Sequence, residues 1–342
     1  MGLAKFGISG GRKIETHQLI DTGAPTTLDR FSAGVLSRFG FLGIAQKIVE
    51  KAPLSVDDIY LLMAKAGIPV LMKLVSLKPR NIAPLELTPI IVLPLRRWME
   101  LKNCLADMLA VITSLVSDID HRRVHLVFDE LHPTWLRQGV GRLIQEINLC
   151  RDNVNIIGPR IDELLSWVRD EYPSASYSEQ MERIAEVLVE MRQIGISQLR
   201  SSANDEALEL THKSGFRNSL VTDLSKFPGP SSLAQELFRV NERARIKKDI
   251  DIWGPGFQVE SRYNPYDHPA RELTLLRLLA VGSISLTHVE IILAQSRYFS
   301  LEAMHLAPHL GANDLGCGAI TDSTQDALSL QPYAILEKAL AD

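Results

Sequence analysis

The sequence predicts an α/β protein: a (β/α) TIM-type barrel, closed or partial, with a helical extension at its amino terminus. One observation is that short apolar runs alternate with helical patterns about seven times from residue 88 onward, which indicates a parallel sheet with right-handed crossovers. A second is the length of this region, roughly 240 residues, which favours a barrel over an open doubly wound sheet. A third is that no Gly-x-Gly-x-x-Gly pattern follows a predicted strand, so nothing indicates a dinucleotide site.

The predicted strands are short runs rich in valine, leucine and isoleucine, as is typical of strands buried on both faces. They cover residues 89–95, 123–128, 153–157, 196–202, 218–223, 250–253 and 287–294. Helical spacing of apolar residues predicts helices between them, at residues 96–117, 134–147, 161–171, 178–193, 231–246, 270–282 and 300–310.

The organisation of the chain follows from these elements. Its parts are a partly flexible extension (1–50), a helical lead-in (51–87) and the barrel with its C-terminal tail (88–342). Glycines near the start lack the spacing of a phosphate-binding loop. In the lead-in, Ser55 is the predicted N-cap of a helix, because two aspartates follow it in the first turn.

Composition excludes several partners. The 342 residues carry 37 basic and 41 acidic side chains, so a formal charge of −4 gives no reason to expect nucleic acid or an anionic membrane as a partner. The longest apolar runs are too short to span a bilayer, and no signal-peptide pattern is present. Three widely spaced cysteines argue against a disulfide framework. We therefore expect a soluble, cytoplasmic protein.

The segment 124–133, which reads Val-His-Leu-Val-Phe-Asp-Glu-Leu-His-Pro, is the most informative stretch. An apolar strand ends in polar groups, as at the carboxyl edge of a parallel sheet, where α/β proteins place their sites. Asp129 and Glu130 are adjacent and point to opposite faces of a strand, so they are unsuited to act as a carboxylate pair. Glu130 and His132 share a face and form a candidate acid–base pair. No third ligand is evident, so we predict no metal.

Polar groups follow the other predicted strands as well, and in a barrel these positions face one shared mouth. Arginines among carboxylates suit a polar, anionic or zwitterionic small molecule. The alternative is that these side chains pair with one another or cap the following helices. Asp223 and the segments around Ser201 and Gln295 also lie at strand ends. The predicted ligand-binding residues are Asp129, Arg160, Arg200, Ser202, Asn204, Gln258, Glu260, Arg262 and Arg297.

Nucleophilic chemistry has little support in the sequence. No Gly-x-Ser-x-Gly elbow is present, and the serines at 201 and 202 have no identifiable histidine partner. Cys317 lies between glycines in Leu-Gly-Cys-Gly, which predicts a flexible loop and a thiol that is either reactive or incidental.

Several segments in the correct order resemble one group of radical S-adenosylmethionine enzymes. They are the lead-in at 53–62, the second-strand segment 124–133 with its Leu-His-Pro, the segment 258–265 ending Arg-Tyr-Asn-Pro, the helix 272–282 with the strand 287–294, and Gly-Ala-Asn-Asp-Leu-Gly at 311–316. The group contains aminofutalosine synthase, dehypoxanthine futalosine cyclase and the deazaflavin-forming synthase. The resemblance covers roughly residues 52–320 and implies a barrel, a [4Fe–4S] cluster, S-adenosylmethionine and a role in menaquinone or deazaflavin synthesis.

Two departures from the group's pattern concern the cofactors. The group has a Cys-x₃-Cys-x₂-Cys loop after its first strand, whereas residues 93–104 contain one cysteine, Cys104. One thiolate cannot replace the three that leave an iron site open for S-adenosylmethionine. The group also has a Gly-Gly pair at the second strand, where this chain has Phe128, Asp129 and Glu130. We therefore predict neither cofactor.

Three hypotheses follow from the resemblance and its departures. The first is a protein without an iron–sulfur cluster that binds a polar small molecule or a protein partner in a cofactor-synthesis pathway. The second is an enzyme with non-radical lyase or hydrolase chemistry, in which Glu130, His132 and the arginines are catalytic. The third is an active radical enzyme whose cluster ligands come from distant cysteines or another chain.

Overall fold

The structure, a computed structural model, describes residues 28–78, 85–95, 110, 123–129, 131–150, 154–201, 205–257 and 269–320. Within them, eight parallel strands form one closed barrel in which each strand pairs with its neighbours in sequence order. The predicted fold class is confirmed. The strands are β1 Glu86–Pro94, β2 Val124–Asp129, β3 Val154–Arg160, β4 Gln198–Ser201, β5 Arg217–Asp223, β6 Ile250–Gly256, β7 Ile291–Gln295 and β8 Asp314–Ile320.

The barrel closes where β1 pairs with β8, over residues 86–92 and 314–320. This pairing shows that the barrel is closed, one of the two forms that the sequence left open, and it adds a strand that was not among those predicted. Glycine is depleted in strands, so the two glycines of β8 interrupt the apolar pattern by which a strand is recognised in a sequence. At Gly316 the small residue is needed, because a Cβ atom there would overlap the side chain of Ile90 on β1.

Helices surround the barrel and connect its strands. They are α1 Arg30–Arg38, α2 Leu42–Val49, α3 Val56–Lys65, α4 Ile68–Leu77, α5 Gly141–Cys150, α6 Ile161–Glu171, α7 Tyr177–Gln193, α8 Asp205–Lys213, α9 Pro230–Lys247, α10 Pro269–Ser285 and α11 Leu301–Leu306. Helix α8 was not predicted, and the helix predicted at 96–117 lies outside the described residues, apart from residue 110. None of the described helices has the length and apolar character needed to cross a membrane.

The first helices pack against the barrel. Ser55 caps α3 as predicted: its Oγ accepts from the Asp58 backbone N–H at 3.2 Å, and the Asp58 carboxylate accepts from the Ser55 N–H at 2.8 Å. Lys47 of α2 contacts the same carboxylate at 2.6 Å. Leu36, Leu62 and the other buried residues of α1–α4 share one apolar core with α9 and α10. The N-terminal helices therefore contribute directly to the fold.

Alternation along the strands separates an inner face from an outer one. On β2, Leu126 and Phe128 pack outward with the apolar residues of α5–α7, whereas Val127 faces the barrel axis with Ile90 and Ile157 of the neighbouring strands. Phe128, one of the three residues that stand in place of the Gly-Gly pair, therefore points away from the barrel interior. The reason is the two-residue period of a strand, which sends positions 127 and 128 to opposite faces.

Glu236 of α9 is the basis of a prediction on pH and stability. Its side chain is 5% exposed, and burial raises its pKa to about 7 even though Arg239 donates two hydrogen bonds of 3.0 Å to it. Because the pKa in the folded state exceeds the ordinary value of 4.5, the protonated carboxyl favours the folded state, and this stabilisation is fully present below pH 4.5 and is lost as pH rises through 7. Glutamine does not ionise, so we expect the stability of Glu236→Gln relative to wild type to increase by on the order of 2 kcal/mol from pH 5 to pH 8.

Urea unfolding of both proteins at pH 5, 6, 7 and 8 measures this difference. Glu242→Gln is the matched control, since Glu242 forms the corresponding pair with Arg245 on the exposed side of the same helix and its pKa is lowered. Curves of wild type and Glu236→Gln that remain parallel across this range would contradict the prediction.

Candidate functional site

Two arginines meet at the carboxyl end of the barrel. Arg160 is the last residue of β3, and Arg200 lies opposite it on β4 in the parallel register. Both were predicted as ligand-binding residues from their positions at strand ends. The structure brings them together because neighbouring parallel strands end at the same edge.

A carboxylate joins the two arginines. Arg160 Nε donates to Glu163 Oε1 at 2.8 Å, and Arg200 Nη2 contacts Glu163 Oε2 at 3.4 Å. Glu163 lies in the first turn of α6, and its Oε2 also accepts from the Arg160 backbone N–H at 3.2 Å. Its side chain is 19% exposed and that of Arg200 22% exposed. Glu163 was not among the predicted residues, although its place three residues after a strand end is the N3 position of a capping box.

Tyr298 is a second residue of the mouth that the sequence did not reveal. It is buried, and burial raises the pKa of its phenol, while Arg297, Arg200 and Arg160 act to lower it and Asp223 to raise it. The phenol is therefore a neutral hydrogen-bonding group among charges that come from the ends of four different strands.

The Tyr298 ring is held in place by contacts with the end of β6 and the residue after it. It packs on the Phe257 ring, with centroids 5.4 Å apart, and over Gly256 at the end of β6. A Cβ atom at Gly256 would lie 3.0 Å from the Tyr298 ring and 2.7 Å from Val221. The absence of a side chain at this position is what lets the ring cover the end of the strand.

Other predicted residues have structural partners. The Asp223 carboxylate accepts from the Ser225 backbone N–H at 2.9 Å and from its hydroxyl at 2.6 Å, so it caps the 3₁₀ turn Leu224–Lys226. Arg297 is exposed beside Tyr298, and Gln295 is half-buried at the end of β7. Asp223 thus follows the capping alternative, while its charge still acts on Tyr298.

His132 lies at the start of the short helix Pro133–Trp135. Its Nδ1 is 3.3 Å from the Thr134 backbone N–H, which donates to it, and 2.7 Å from the Thr134 hydroxyl. The ring packs edge-on against Trp167 of α6, with centroids 4.8 Å apart, and also contacts Trp135. Burial lowers the pKa of the imidazole. One ring nitrogen therefore serves as a helix cap, and the ring packs against aromatic residues on the helical side.

Asp129 is the last residue of β2, at the mouth end of the barrel. Outside the described residues lie Glu130, Ser202, Asn204, Gln258, Glu260 and Arg262. The acid–base pair of Glu130 and His132 therefore stays a prediction, as do the contributions of the other five residues.

Cys317 is not in a flexible loop, as the sequence suggested, but in β8. Its side chain is 2% exposed within the outer apolar core, and burial raises the pKa of its thiol to about 12. Cys150 is the last residue of α5, and the chain from there leads to the start of β3, so it lies at the end of the barrel opposite the mouth. The Cys317 thiol is thus enclosed in the outer core, and the backbone of Cys150 lies away from the mouth.

We expect the Cys317 thiol to be unreactive in the native protein. A Cys104→Ser/Cys150→Ser variant retains Cys317 as its one cysteine. A water-soluble disulfide reagent at pH 8 should label this thiol only after denaturant is added, because the buried thiol is not ionised and the thiolate is the reactive form. Rapid labelling of the folded variant, with folding verified by circular dichroism, would show that Cys317 is accessible.

Comparison with known proteins identifies the fold. No protein-family model matches the chain, and no curated protein matches it in sequence. Among solved structures, methylornithine synthase (PylB) matches with a TM-score of 0.53 and 13% identity, over 80% of this chain and 85% of that one. The FeFe-hydrogenase maturase HydG from Carboxydothermus hydrogenoformans matches with a TM-score of 0.60 and 11% identity, over 90% of this chain and 80% of that one. Both are radical S-adenosylmethionine enzymes with TIM-type barrels.

The chain has the fold of these two enzymes. At 11–13% identity the likeness concerns the fold alone. It supports the barrel that the sequence resemblance implied, and the narrower resemblance to the aminofutalosine synthase group stays a prediction.

Proposed function

We propose that this protein is a radical-S-adenosylmethionine-like barrel that binds a polar, anionic small molecule at its mouth without an iron–sulfur cluster. The observation that carries the proposal is the convergence of Arg160 and Arg200 on Glu163 at the carboxyl ends of β3 and β4. Two guanidinium groups converge on one carboxylate at the edge where parallel barrels bind their ligands, and paired guanidinium groups suit a carboxylate or phosphate ligand.

The surroundings of the two arginines support an anionic ligand. Arg297 brings a third guanidinium to the neighbourhood of Tyr298, and Asp223 brings one carboxylate. The neutral Tyr298 phenol adds a hydrogen-bonding group with little freedom to move. A carboxylate or phosphate group that bridges Arg160 and Arg200 fits this set best.

The residues present do not fit a [4Fe–4S] cluster that would bind S-adenosylmethionine. Three thiolates are needed near the end of β1, and the whole sequence has three cysteines. Cys317 faces the outer core and Cys150 lies toward the opposite end of the barrel, so Cys104 is the one remaining candidate, outside the described residues. This distribution supports the first hypothesis and weakens the third, in which distant cysteines hold the cluster.

The ligand and its pathway follow only from the sequence resemblance. The likeness of several segments to the aminofutalosine synthase group supports an acidic intermediate of menaquinone or deazaflavin synthesis as the ligand, with a protein partner in the same pathway. Non-radical lyase or hydrolase chemistry has less support, because His132, one of its proposed catalytic groups, serves as a helix cap through Nδ1.

A ligand screen by thermal shift tests the proposal. The full chain is heated with inorganic phosphate, citrate, chorismate, adenosine or S-adenosylmethionine, each at constant ionic strength. We expect the organic acids to raise the melting temperature, since a ligand that binds only the folded state stabilises it. Stabilisation by adenosine alone, or by none of the compounds, would contradict an anion site.

A further inference from the structure

A second polar group of residues lies inside the barrel, at the end opposite the mouth. Thr88, His125, Gln198 and Asp314 are each at most 4% exposed, and all lie near the amino ends of their strands. On β1 and β2 the next inward residues toward the mouth are apolar, Ile90 and Val127. This interior polar group is therefore separated from the arginines at the mouth by an apolar layer.

Hydrogen bonds define part of the interior polar group. Asn155 Nδ2 donates to Gln198 Oε1 at 2.6 Å and is 3.1 Å from His125 Nδ1. With this amide orientation, assigned from the network, Nδ1 accepts, so the proton of the neutral imidazole is on Nε2. Nε2 faces Asp314 Oδ2 at 3.7 Å, which is too far for a direct hydrogen bond.

Four buried atoms at this point have no hydrogen-bond partner among the described residues: Thr88 Oγ1, His125 Nε2 and both carboxylate oxygens of Asp314. These atoms belong to three adjacent strands, because β1 lies between β2 and β8. The side chains of His125 and Asp314 reach each other across the inner face of β1. Leaving buried polar groups unmatched is costly, and for a carboxylate the cost is largest. Sites of this kind, with two to four polar partners, are where proteins bind internal water.

We propose that the barrel interior binds a water molecule between Thr88, His125 and Asp314. The water accepts a hydrogen bond from His125 Nε2–H, donates one to the Asp314 carboxylate and contacts the Thr88 hydroxyl. It thereby links β2 to β8 across β1, at the seam where the sheet closes. Water fits better than a metal ion, because Nε2 carries a proton and no third His, Cys, Asp or Glu joins the pair in the described part of the chain.

Replacing Thr88 by valine tests the proposal, because the stability should change in opposite directions with and without the water. A buried hydroxyl with no partner destabilises the fold, so its replacement by a methyl group would leave stability unchanged or increase it. A hydroxyl bound to water contributes, so we expect Thr88→Val to lower the folding equilibrium constant about fivefold in urea unfolding. The control is Thr211→Val, which removes a buried hydroxyl bonded directly to Leu208 O at 2.8 Å and Asn218 Oδ1 at 3.0 Å.

A crystal structure of the wild-type protein at about 1.5 Å resolution provides a second measurement that does not depend on a variant. Electron density for one water within hydrogen-bond distance of His125 Nε2 and Asp314 supports the proposal. A direct His125–Asp314 hydrogen bond with no density between them, an anomalous signal from a metal, or a neutral or stabilised Thr88→Val variant would each overturn it.

Discussion

Replacing Gly282 by alanine is expected to destabilise the protein by about 3 kcal/mol, although it adds a single methyl group. Gly282 lies within α10, where a Cβ atom would overlap the Cη2 and Cζ3 atoms of the Trp253 ring. Trp253 is fully buried and its indole N–H donates to Thr222 Oγ1 at 2.9 Å. Because the hydrogen bond holds the ring in place, the helix must move away from the barrel or the bond must break.

Alanine at Gly34 is the matched control. Gly34 is also within a helix, α1, but a Cβ atom there has no atom within 4 Å, so helix propensity alone acts. We expect Gly34→Ala to be unchanged or up to about 1 kcal/mol more stable than wild type. Urea unfolding monitored by circular dichroism measures both variants. Equal stabilities for the two alanine variants would show that α10 does not pack on Trp253 as closely as the structure has it.

Replacing Arg200 by methionine is expected to weaken binding of the acids that stabilise the wild-type protein by about 10- to 100-fold, as the loss of a charge-assisted hydrogen bond from a half-buried guanidinium does. Methionine keeps the length of the side chain and removes its charge. Isothermal titration measures the dissociation constants, and a denaturation curve verifies that the variant folds. Since Arg200 and Arg160 share Glu163, loss of one also changes the position of the other.

The control for this substitution is Arg142→Met. Arg142 lies on the exposed side of α5, where it pairs with Glu146 in an i,i+4 arrangement. Its removal should leave the dissociation constants unchanged. An Arg200→Met variant that folds and binds these acids as tightly as wild type would exclude the arginine pair as the anion site.

The sequence predicted the barrel because its evidence is local. Apolar runs and helical spacing repeat along the chain, and polar residues mark the points at which the apolar strands end. Strand β8 was missed because Gly316 and Gly318 weaken a strand pattern, and its place is set by pairing with β1, over 220 residues earlier. The prediction for Cys317 was wrong for the same reason: glycine neighbours are typical of a loop, yet closure of the sheet places Cys317 in a strand and buries its side chain.

The candidate site was predictable only in part. Arg160 and Arg200 could be named because they end predicted strands, whereas their common partner Glu163 belongs to the next helix and resembled an ordinary capping residue. Tyr298 could not be foreseen, since its burial depends on Phe257 and Gly256 from another strand end. Contacts between elements distant in sequence leave no periodic signal in either.

Anaerobic reconstitution of the full chain with iron and sulfide tests the central claim most directly, because the claim is that this barrel binds its ligand without an iron–sulfur cluster. After removal of unbound iron, absorbance near 400 nm and bound iron per chain are measured. We predict no absorbance band and no iron retained, since the cysteines do not provide three thiolates at the mouth. A stable band with about four irons per chain would contradict the account and restore the radical enzyme as the better hypothesis.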